Sequence, residues 1–130
     1  MKRVVFYKCS VCGKIVWELC EGGGTLVCCG REMTRLEPNS TDGADEKHVP
    51  VVLDLLGRIK VQVGEELHPF TPEHRIEWIA LQTDRGVHFR FIPVGEKPKA
   101  FFKTDDEEVV AAYCYCNLHG LWMIQKEAPK

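Results

Sequence analysis

Apolar and polar side chains alternate along much of the chain after its first 57 residues. Residues 58–63 and 87–91 each show this alternation, and residues 76–81 form a further apolar run. A period of two is typical of β-strands with one face in a core. Short turn sequences containing glycine separate these segments, and no stretch shows a sustained helical period. The pattern predicts a mainly β protein whose larger part is an immunoglobulin-like antiparallel β-sandwich.

A smaller strand pattern precedes this region and surrounds a group of cysteines. Residues 14–19 are predicted to form a strand, and residues 21–24 the turn that follows it. Cys9-Ser10-Val11-Cys12-Gly13 is a C-x2-C knuckle, and Cys28-Cys29-Gly30 supplies a second pair of cysteines. Four thiolates at this spacing predict a tetrahedral site for iron or zinc, with a pair of disulfides as the alternative. Cys20, the fifth cysteine of the segment, is predicted to be a spare thiol.

Adjacent ligands distinguish this cysteine group from an ordinary zinc ribbon. A zinc ribbon usually closes with a second C-x2-C pair, whereas Cys28-Cys29 takes two ligands from neighbouring residues and should distort the tetrahedron. With Tyr7-Lys8-Cys9 and Leu26-Val27-Cys28-Cys29, the segment resembles desulforedoxin, a small iron-thiolate module. Zinc fits the same thiolates. The composition becomes polar and turn-rich over residues 37–45, which predicts a metal-knuckle domain at 1–37 and a sandwich domain at 38–130.

Composition and charge argue against several classes of protein. The 130 residues carry a net charge of -2 with a pI of about 6.2, which gives no general affinity for nucleic acid or anionic lipid. No apolar stretch approaches the roughly 20 residues of a membrane span. Residues 1–6 lead into a cysteine motif rather than a signal peptide, so we expect a cytoplasmic protein. Its seven cysteines are then expected to be reduced and metal-bound.

Four histidines and a further cysteine form a second set of candidate metal ligands: His48, His68, His74, Cys116 and His119. Any one of these histidines alone would more often be a surface or core residue. The joint pattern favours a metal, because two prolines stiffen the segment from His68 to His74 and Cys116-x2-His119 is a compact pair. Iron with five such ligands and one open position suits redox chemistry on a small oxygen species.

The whole chain resembles desulfoferrodoxin, the two-iron form of superoxide reductase. The resemblance spans Cys9 to Trp122 and rests on five segments: Tyr7-Lys8-Cys9-x2-Cys12-Gly13, Val27-Cys28-Cys29, Glu46-Lys47-His48-Val49-Pro50, His68-Pro69-x4-His74 with Ile76-Glu77-Trp78-Ile79, and Tyr115-Cys116-Asn117-Leu118-His119-Gly120-Leu121-Trp122. It implies one iron held in a plane by the four histidines and axially by the Cys116 thiolate. It also implies a second, rubredoxin-like metal on Cys9, Cys12, Cys28 and Cys29.

The same resemblance implies the activity and the partners. A superoxide reductase reduces superoxide to hydrogen peroxide with an electron from an outside donor. Lys47 is then expected to attract the superoxide anion, and Glu46 to occupy the sixth position of the ferric resting state. A rubredoxin-like donor and a homodimer are the expected partners, without nucleic acid or membrane. The alternative function is an iron-containing electron-transfer protein without substrate turnover, and a nucleic-acid-binding zinc-ribbon adaptor is more distant.

Some neighbouring side chains have more than one interpretation. If the strand stays extended as far as Cys116, Cys114 lies on the same face as that ligand. Cys114 is predicted to be a buried inert thiol, with a disulfide to Cys20 or a ligand role as alternatives. His88, the fifth histidine, is predicted to be a surface residue. The tryptophans predicted to line the core or the wall of the site are Trp78 and Trp122.

Overall fold

The computed structural model describes residues 4–41, 43 and 45–126. The chain divides into two compact units, residues 1–37 and residues 38–130. The regular structure of both units consists mainly of β-strands, which confirms the predicted fold class. Among the described residues, no helix is long and apolar enough to cross a membrane.

The first unit is organised around two tight turns. Its strands are Val5–Lys8 (β1), Ile15–Glu18 (β2), Val27–Cys28 (β3), Arg31–Glu32 (β4) and Thr34–Arg35 (β5). Strand β1 lies between β2 and β5 in one antiparallel sheet, and β3 pairs with β4 in a separate hairpin. In the β1–β2 turn the Cys9 N–H donates to the Lys14 carbonyl, and Gly13 takes a φ of 79° that favours glycine. The two turns therefore carry the two cysteine pairs.

The second unit is a sandwich of two antiparallel sheets. Its elements are helix Asp45–His48 (α1) and strands Pro50–Asp54 (β6), Ile59–Val63 (β7), Ile76–Thr83 (β8), Val87–Phe91 (β9), Lys99–Phe102 (β10), Val109–Cys116 (β11) and Gly120–Gln125 (β12). One sheet has the order β10-β7-β6, and the other has the order β12-β11-β8-β9. The alternating segments seen in the sequence are β7 and β9, and the apolar run is the first part of β8.

The core lies between these two sheets. Strand β7 alternates between buried and half-buried residues, with Val61 and Val63 fully buried. The facing sheet contributes Ile79 and Leu81 from β8 and Trp122 from β12. Strands β8 and β11 are buried on both faces along most of their length. The long β8–β11 pair is therefore the rigid centre of the unit, and the candidate ligands lie at one of its ends.

The segment around His48 differs from the sequence prediction. The sequence shows no helical period here, but His48 ends the one-turn helix α1, and β6 begins at Pro50. The Val49 N–H donates to the Asp45 carbonyl, which closes this turn. A single turn is too short to produce a helical period in a sequence, so pattern reasoning could not detect it.

Candidate metal centres

Four cysteine sulfur atoms of the first unit lie close together between its two turns. The sulfur atoms of Cys9, Cys12, Cys28 and Cys29 are all within 4.8 Å of one another. Cys28 Sγ lies 3.7 Å from Cys12 Sγ and 3.9 Å from Cys29 Sγ. A metal tetrahedron with bonds of about 2.3 Å has sulfur–sulfur edges of about 3.8 Å. All four cysteines are free thiols, so the alternative of paired disulfides is wrong and the geometry fits a tetrahedral metal ion.

The backbone prepares this cysteine group for a metal. The Cys12 N–H donates to Cys9 Sγ at 3.5 Å, and the N–H groups of Cys12 and Val11 lower the pKa of Cys9 to about 6. Contact with the Cys12 sulfur raises the pKa of Cys28 and of Cys29. A metal ion displaces the remaining protons, because its ligands must be thiolates. Cys29 has a φ of 52°, and this left-handed backbone turns two consecutive cysteines toward one point.

The second unit brings four histidines and one cysteine together from three separate segments. His48 lies at the end of α1, and His68 and His74 lie in the loop between β7 and β8. Cys116 is the last residue of β11, and His119 precedes β12 in the turn that joins these strands. The register between β8 and β11 shifts at Tyr115 and Cys116, a bulge of the kind that re-aims side chains beside functional sites.

Three imidazole nitrogens face one another at distances that fit a shared ion. His48 Nε2 lies 3.0 Å from His119 Nδ1 and 3.2 Å from His68 Nε2. Neighbouring ligands at right angles around a metal, with bonds of about 2.1 Å, are about 3.0 Å apart. His68 Nδ1 donates to the Pro69 carbonyl at 2.6 Å, so its Nε2 presents a lone pair to the centre. A cation between these rings satisfies all three nitrogens at once.

His74 and Cys116 complete the donor set. His74 Nε2 is buried and has no hydrogen-bond partner in the described part of the chain. A buried nitrogen without a partner is costly, and a metal ion supplies the missing interaction. The donor atoms of His48, His68, His74 and Cys116 all lie within 4.8 Å of one another, and Cys116 Sγ is 3.9 Å from His119 Nδ1. Four imidazoles and one sulfur are a donor set that fits iron.

Burial keeps two of the histidines, His68 and His74, in the neutral form that binds a metal. Burial lowers the pKa of His68 to about 4. Burial lowers the pKa of His74 as well, and the positive charges of His119 and Lys47 lower it further. Burial raises the pKa of the Cys116 thiol, although the His119 N–H opposes this effect. His68 and His74 are therefore neutral near pH 7, and the metal must displace the thiol proton of Cys116.

Asn117 joins two of the ligand-bearing segments. Its side chain accepts the Arg75 N–H at 2.9 Å and donates to the Glu73 carbonyl at 2.9 Å. Its backbone N–H donates to the Arg75 carbonyl. These bonds hold the turn after Cys116 against the loop that carries His74. The sequence analysis gave Asn117 no role. The signal that could have identified it is its position next to the ligand Cys116, combined with a side chain that can both donate and accept hydrogen bonds.

Trp122 and Thr41 support the other side of the centre. Trp122 Nε1 donates to the His119 carbonyl at 3.0 Å, and the indole stacks on the His48 ring at 4.8 Å. Thr41 Oγ1 donates to the same carbonyl. Trp122 therefore belongs to both the core and the wall of the site. Trp78 instead stacks on Tyr115. Thr41 lies in the polar linker segment, where the sequence offers no signal for such a role.

The remaining candidate residues have mixed outcomes. Lys47 is exposed on α1 beside His48. Glu46 lies in the same helix, but its side chain is outside the described residues. Cys114 is buried and free, and it donates to the His48 carbonyl at 3.3 Å, so the disulfide and ligand alternatives are wrong. Burial raises the pKa of Cys114 well above its usual value. His88 is only 33% exposed, so it is half-buried rather than a surface residue.

Known proteins resemble this chain along nearly its whole length. The family model described as "Desulfoferrodoxin, N-terminal domain" matches residues 2–36, and the model described as "Desulfoferrodoxin" matches residues 40–125. The chain is 44% identical over 121 residues to a desulfoferrodoxin of Desulfarculus baarsii, covering 93% of this chain and 95% of that protein. It is 47% identical over 116 residues to a desulfoferrodoxin of Nitratidesulfovibrio vulgaris, covering 89% and 91%. The superoxide reductase structure from Treponema pallidum superposes with a TM-score of 0.80 at 33% identity, covering 95% of this chain and 100% of that chain.

Proposed function

The chain belongs to the desulfoferrodoxin family, and we propose that it is a superoxide reductase that reduces superoxide to hydrogen peroxide. Each superoxide takes up one electron and two protons, and an external donor returns the electron to the protein. The observation that carries the proposal is the convergence of four imidazoles and one thiol around the buried, unpartnered His74 Nε2. A structural metal site is usually complete with four protein ligands, whereas this site offers five and lies beside the exposed Lys47.

We infer that iron is held by the ring nitrogens of His48, His68, His74 and His119 and by the sulfur of Cys116. When bound, iron in this ligand set supplies one electron to a small oxygen species at a position that these five ligands leave open. The chain's own residues set the conditions for that reaction. The His68 bond to the Pro69 carbonyl fixes one ring, and the His119 N–H donates to Cys116 Sγ at 3.4 Å, which moderates the donor strength of the sulfur.

Lys47 and Glu46 are the residues that we assign to the substrate. The charge of Lys47 reaches the centre, because it contributes to the lowered pKa of His74. A positive charge there raises the local concentration of superoxide and can order the water that delivers a proton. We assign Glu46, by analogy with the family, to the open position of the ferric resting state.

We propose iron for the four-cysteine site as well, with zinc as the other metal that fits. We infer a rubredoxin-like electron donor, a cytoplasmic location and a role in superoxide detoxification. We also infer a homodimer. It is supported by β9, which lies at the edge of its sheet and carries Phe91 with 85% of its surface exposed. Light scattering of the metal-loaded protein measures this assembly directly, and a monomeric mass would contradict it.

The electron count provides the test of the activity. Reduced protein mixed with superoxide is expected to yield about one hydrogen peroxide per ferrous histidine/cysteine site oxidised, without oxygen evolution by the protein. Cys116→Ser is expected to remove both the sulfur-to-iron absorption band and the reaction, whereas Cys20→Ser keeps both. Catalytic oxygen evolution without a reductant would identify a dismutase and contradict the proposal.

The electron-transfer alternative is separated by anion binding. A carrier that only passes electrons keeps its metal closed to added ligands, so azide or cyanide should leave its spectrum unchanged. A superoxide reductase has an open position and should bind these anions with a spectral change. Titration of the oxidised protein with azide therefore distinguishes the two functions before any superoxide is used.

A further inference from the structure

Cys114 is a buried thiol that neither metal site uses. It is fully buried within the core cluster between the two sheets. Its sulfur lies 3.3 Å from the His48 carbonyl oxygen. A carbonyl oxygen only accepts hydrogen bonds, so the Cys114 S–H is the donor of this contact. The bond therefore joins a core thiol of β11 to a residue that faces the histidine/cysteine centre.

The acceptor of this bond, the His48 carbonyl, lies in a helix that is too short to be stable by itself. Helix α1 has a single turn, and His48 is its last residue. Carbonyls in the last turn of a helix take hydrogen-bond partners from outside the helix, and the Cys114 thiol is such a partner for the His48 carbonyl. His48 is only 2% exposed, so loss of the thiol removes a hydrogen bond from a buried residue. The thiol thus stabilises an element that is too short to be stable alone.

The His48 ring is held separately from its backbone. The Trp122 indole stacks on one face of the ring, and Gly43 packs so close that an added Cβ there would lie 3.1 Å from the ring atom Cε1. This packing restricts the ring but does not join α1 to β11. The Cys114 hydrogen bond joins them, and Cys114 lies two residues before Cys116 on that strand.

We propose that Cys114 is a positioning residue, whose thiol holds the His48 carbonyl and thereby ties helix α1 to the strand that carries Cys116. The bond sets His48 at its distance from the other ligands and places the Lys47 charge beside them. Any effect of this bond on the superoxide reaction rests on the proposed function. The existence of the bond and its effect on metal binding do not depend on that function.

Infrared spectroscopy of the iron-loaded protein detects the bond directly. Metal-bound thiolates have no S–H group, so five of the seven cysteines are silent and only Cys20 and Cys114 contribute S–H stretching bands. In Cys20→Ser the single remaining band belongs to Cys114. It is expected at lower frequency than that of an exposed thiol, because donation weakens the S–H bond. A band at the frequency of a free thiol would overturn the proposal. This measurement leaves Cys114 itself unsubstituted.

Substitutions then test what the bond does. Cys114→Ala removes the donor and Cys114→Ser keeps one, and both side chains are smaller than the thiol, so neither overpacks the core. Iron release from the histidine/cysteine site to a chelator should show roughly tenfold weaker binding in Cys114→Ala, with most of the loss recovered in Cys114→Ser. Cys20→Ser is the matched control and should bind iron as the parent does. Equal affinities in the alanine and serine variants would overturn the positioning role.

The two proposals fail in different experiments. Suppose that the shifted band is observed and that the variant without a donor binds iron more weakly than Cys114→Ser, but superoxide yields no hydrogen peroxide. The proposed function is then wrong and the positioning role stands. If hydrogen peroxide forms at the expected ratio while the Cys114 band is unshifted, the positioning role is wrong and the activity stands.

Discussion

Single residues determine the protonation and charge of the histidine/cysteine centre. The Pro69 carbonyl accepts a hydrogen bond from the Nδ1–H of His68, and this fixes which nitrogen of that ring faces the metal. Lys47 is exposed beside the ligand His48, and its positive charge contributes to the lowered pKa of His74. In the proposed function the ligands hold the iron, and Lys47 guides the approach of a small anion.

Lys47→Ala is expected to slow the bimolecular reaction with superoxide roughly tenfold and to flatten its dependence on ionic strength, because the steering charge is lost. Pulse radiolysis or stopped-flow rates at several salt concentrations measure both effects. Lys99→Ala removes an exposed lysine of β10 and should change neither. Glu46→Ala should spare the rate and alter the ferric spectrum. An unchanged rate and salt slope in Lys47→Ala would leave Lys47 an ordinary surface residue.

Elements of secondary structure bring the ligands to a common end of the sandwich. Cys116 and His119 flank the turn between β11 and β12, where Cys116 pairs with Gly120 in register. The loop with His74 enters β8, which pairs with β11 along its length. The two segments meet because β8 and β11 are neighbours, and the Asn117 side chain secures them. The precision of the centre therefore depends on a hydrogen-bonded contact between two loops.

Asn117→Ala is expected to lower the free energy of unfolding by about 2 kcal/mol, because two side-chain hydrogen bonds to the backbone, one of them partly buried, are lost. It should also weaken iron binding at the histidine/cysteine site. Denaturant unfolding followed by tryptophan fluorescence and iron release to a chelator measure the two effects. Asn39 also makes two side-chain bonds to the backbone, but both go to Met123. Asn39→Ala should therefore destabilise the protein while sparing iron affinity, and equal iron release from both variants would contradict the role of Asn117.

The whole molecule consists of two units whose metal sites share no ligand. The four cysteines lie in residues 1–37, and the histidine/cysteine set lies in residues 38–130. The second unit has a hydrophobic core between two sheets, whereas the strands of the first are two to four residues long. A unit of this size depends on its metal for much of its folding free energy.

Cys12→Ser is expected to abolish the absorption of the four-cysteine iron and to leave most of the superoxide-reducing activity. The first unit should lose protection against proteolysis, because the tetrahedral site that crosslinks its two turns is gone. The activity and the histidine/cysteine spectrum should persist, since their ligands are unchanged. Cys20→Ser is the control, because Cys20 is an exposed thiol outside the cluster. Loss of both metal sites in Cys12→Ser would contradict the independence of the two units.

Local patterns in the sequence were sufficient to predict the fold class and the four-cysteine site, whereas the resemblance to desulfoferrodoxin implied the superoxide chemistry. The alternation in 59–63 appears as strand β7, whose alternate residues are buried, because burial of one face of a strand produces a period of two. Residues 87–91 form strand β9 as predicted, but Phe91 on its apolar face is 85% exposed. The pairs Cys9/Cys12, Cys28/Cys29 and Cys116/His119 could be recognised because short spacings place donor atoms within reach of one ion, whereas the full histidine set with His48 followed from the family resemblance. Such information lies within a few residues of chain, and the sequence displays it directly.

Contacts between distant segments were decided only by the tertiary structure. The helix at 45–48 is one turn long and leaves no period in the sequence. The Cys114 thiol meets the His48 carbonyl across 66 positions, and Asn117 reaches Glu73 across 44. The local sequence does not distinguish an inert thiol from one that donates a hydrogen bond. The acceptor available to Cys114 depends on how α1 and β11 pack. The ligands were therefore set by the sequence, whereas the groups that hold them in place depend on the packing of the sandwich.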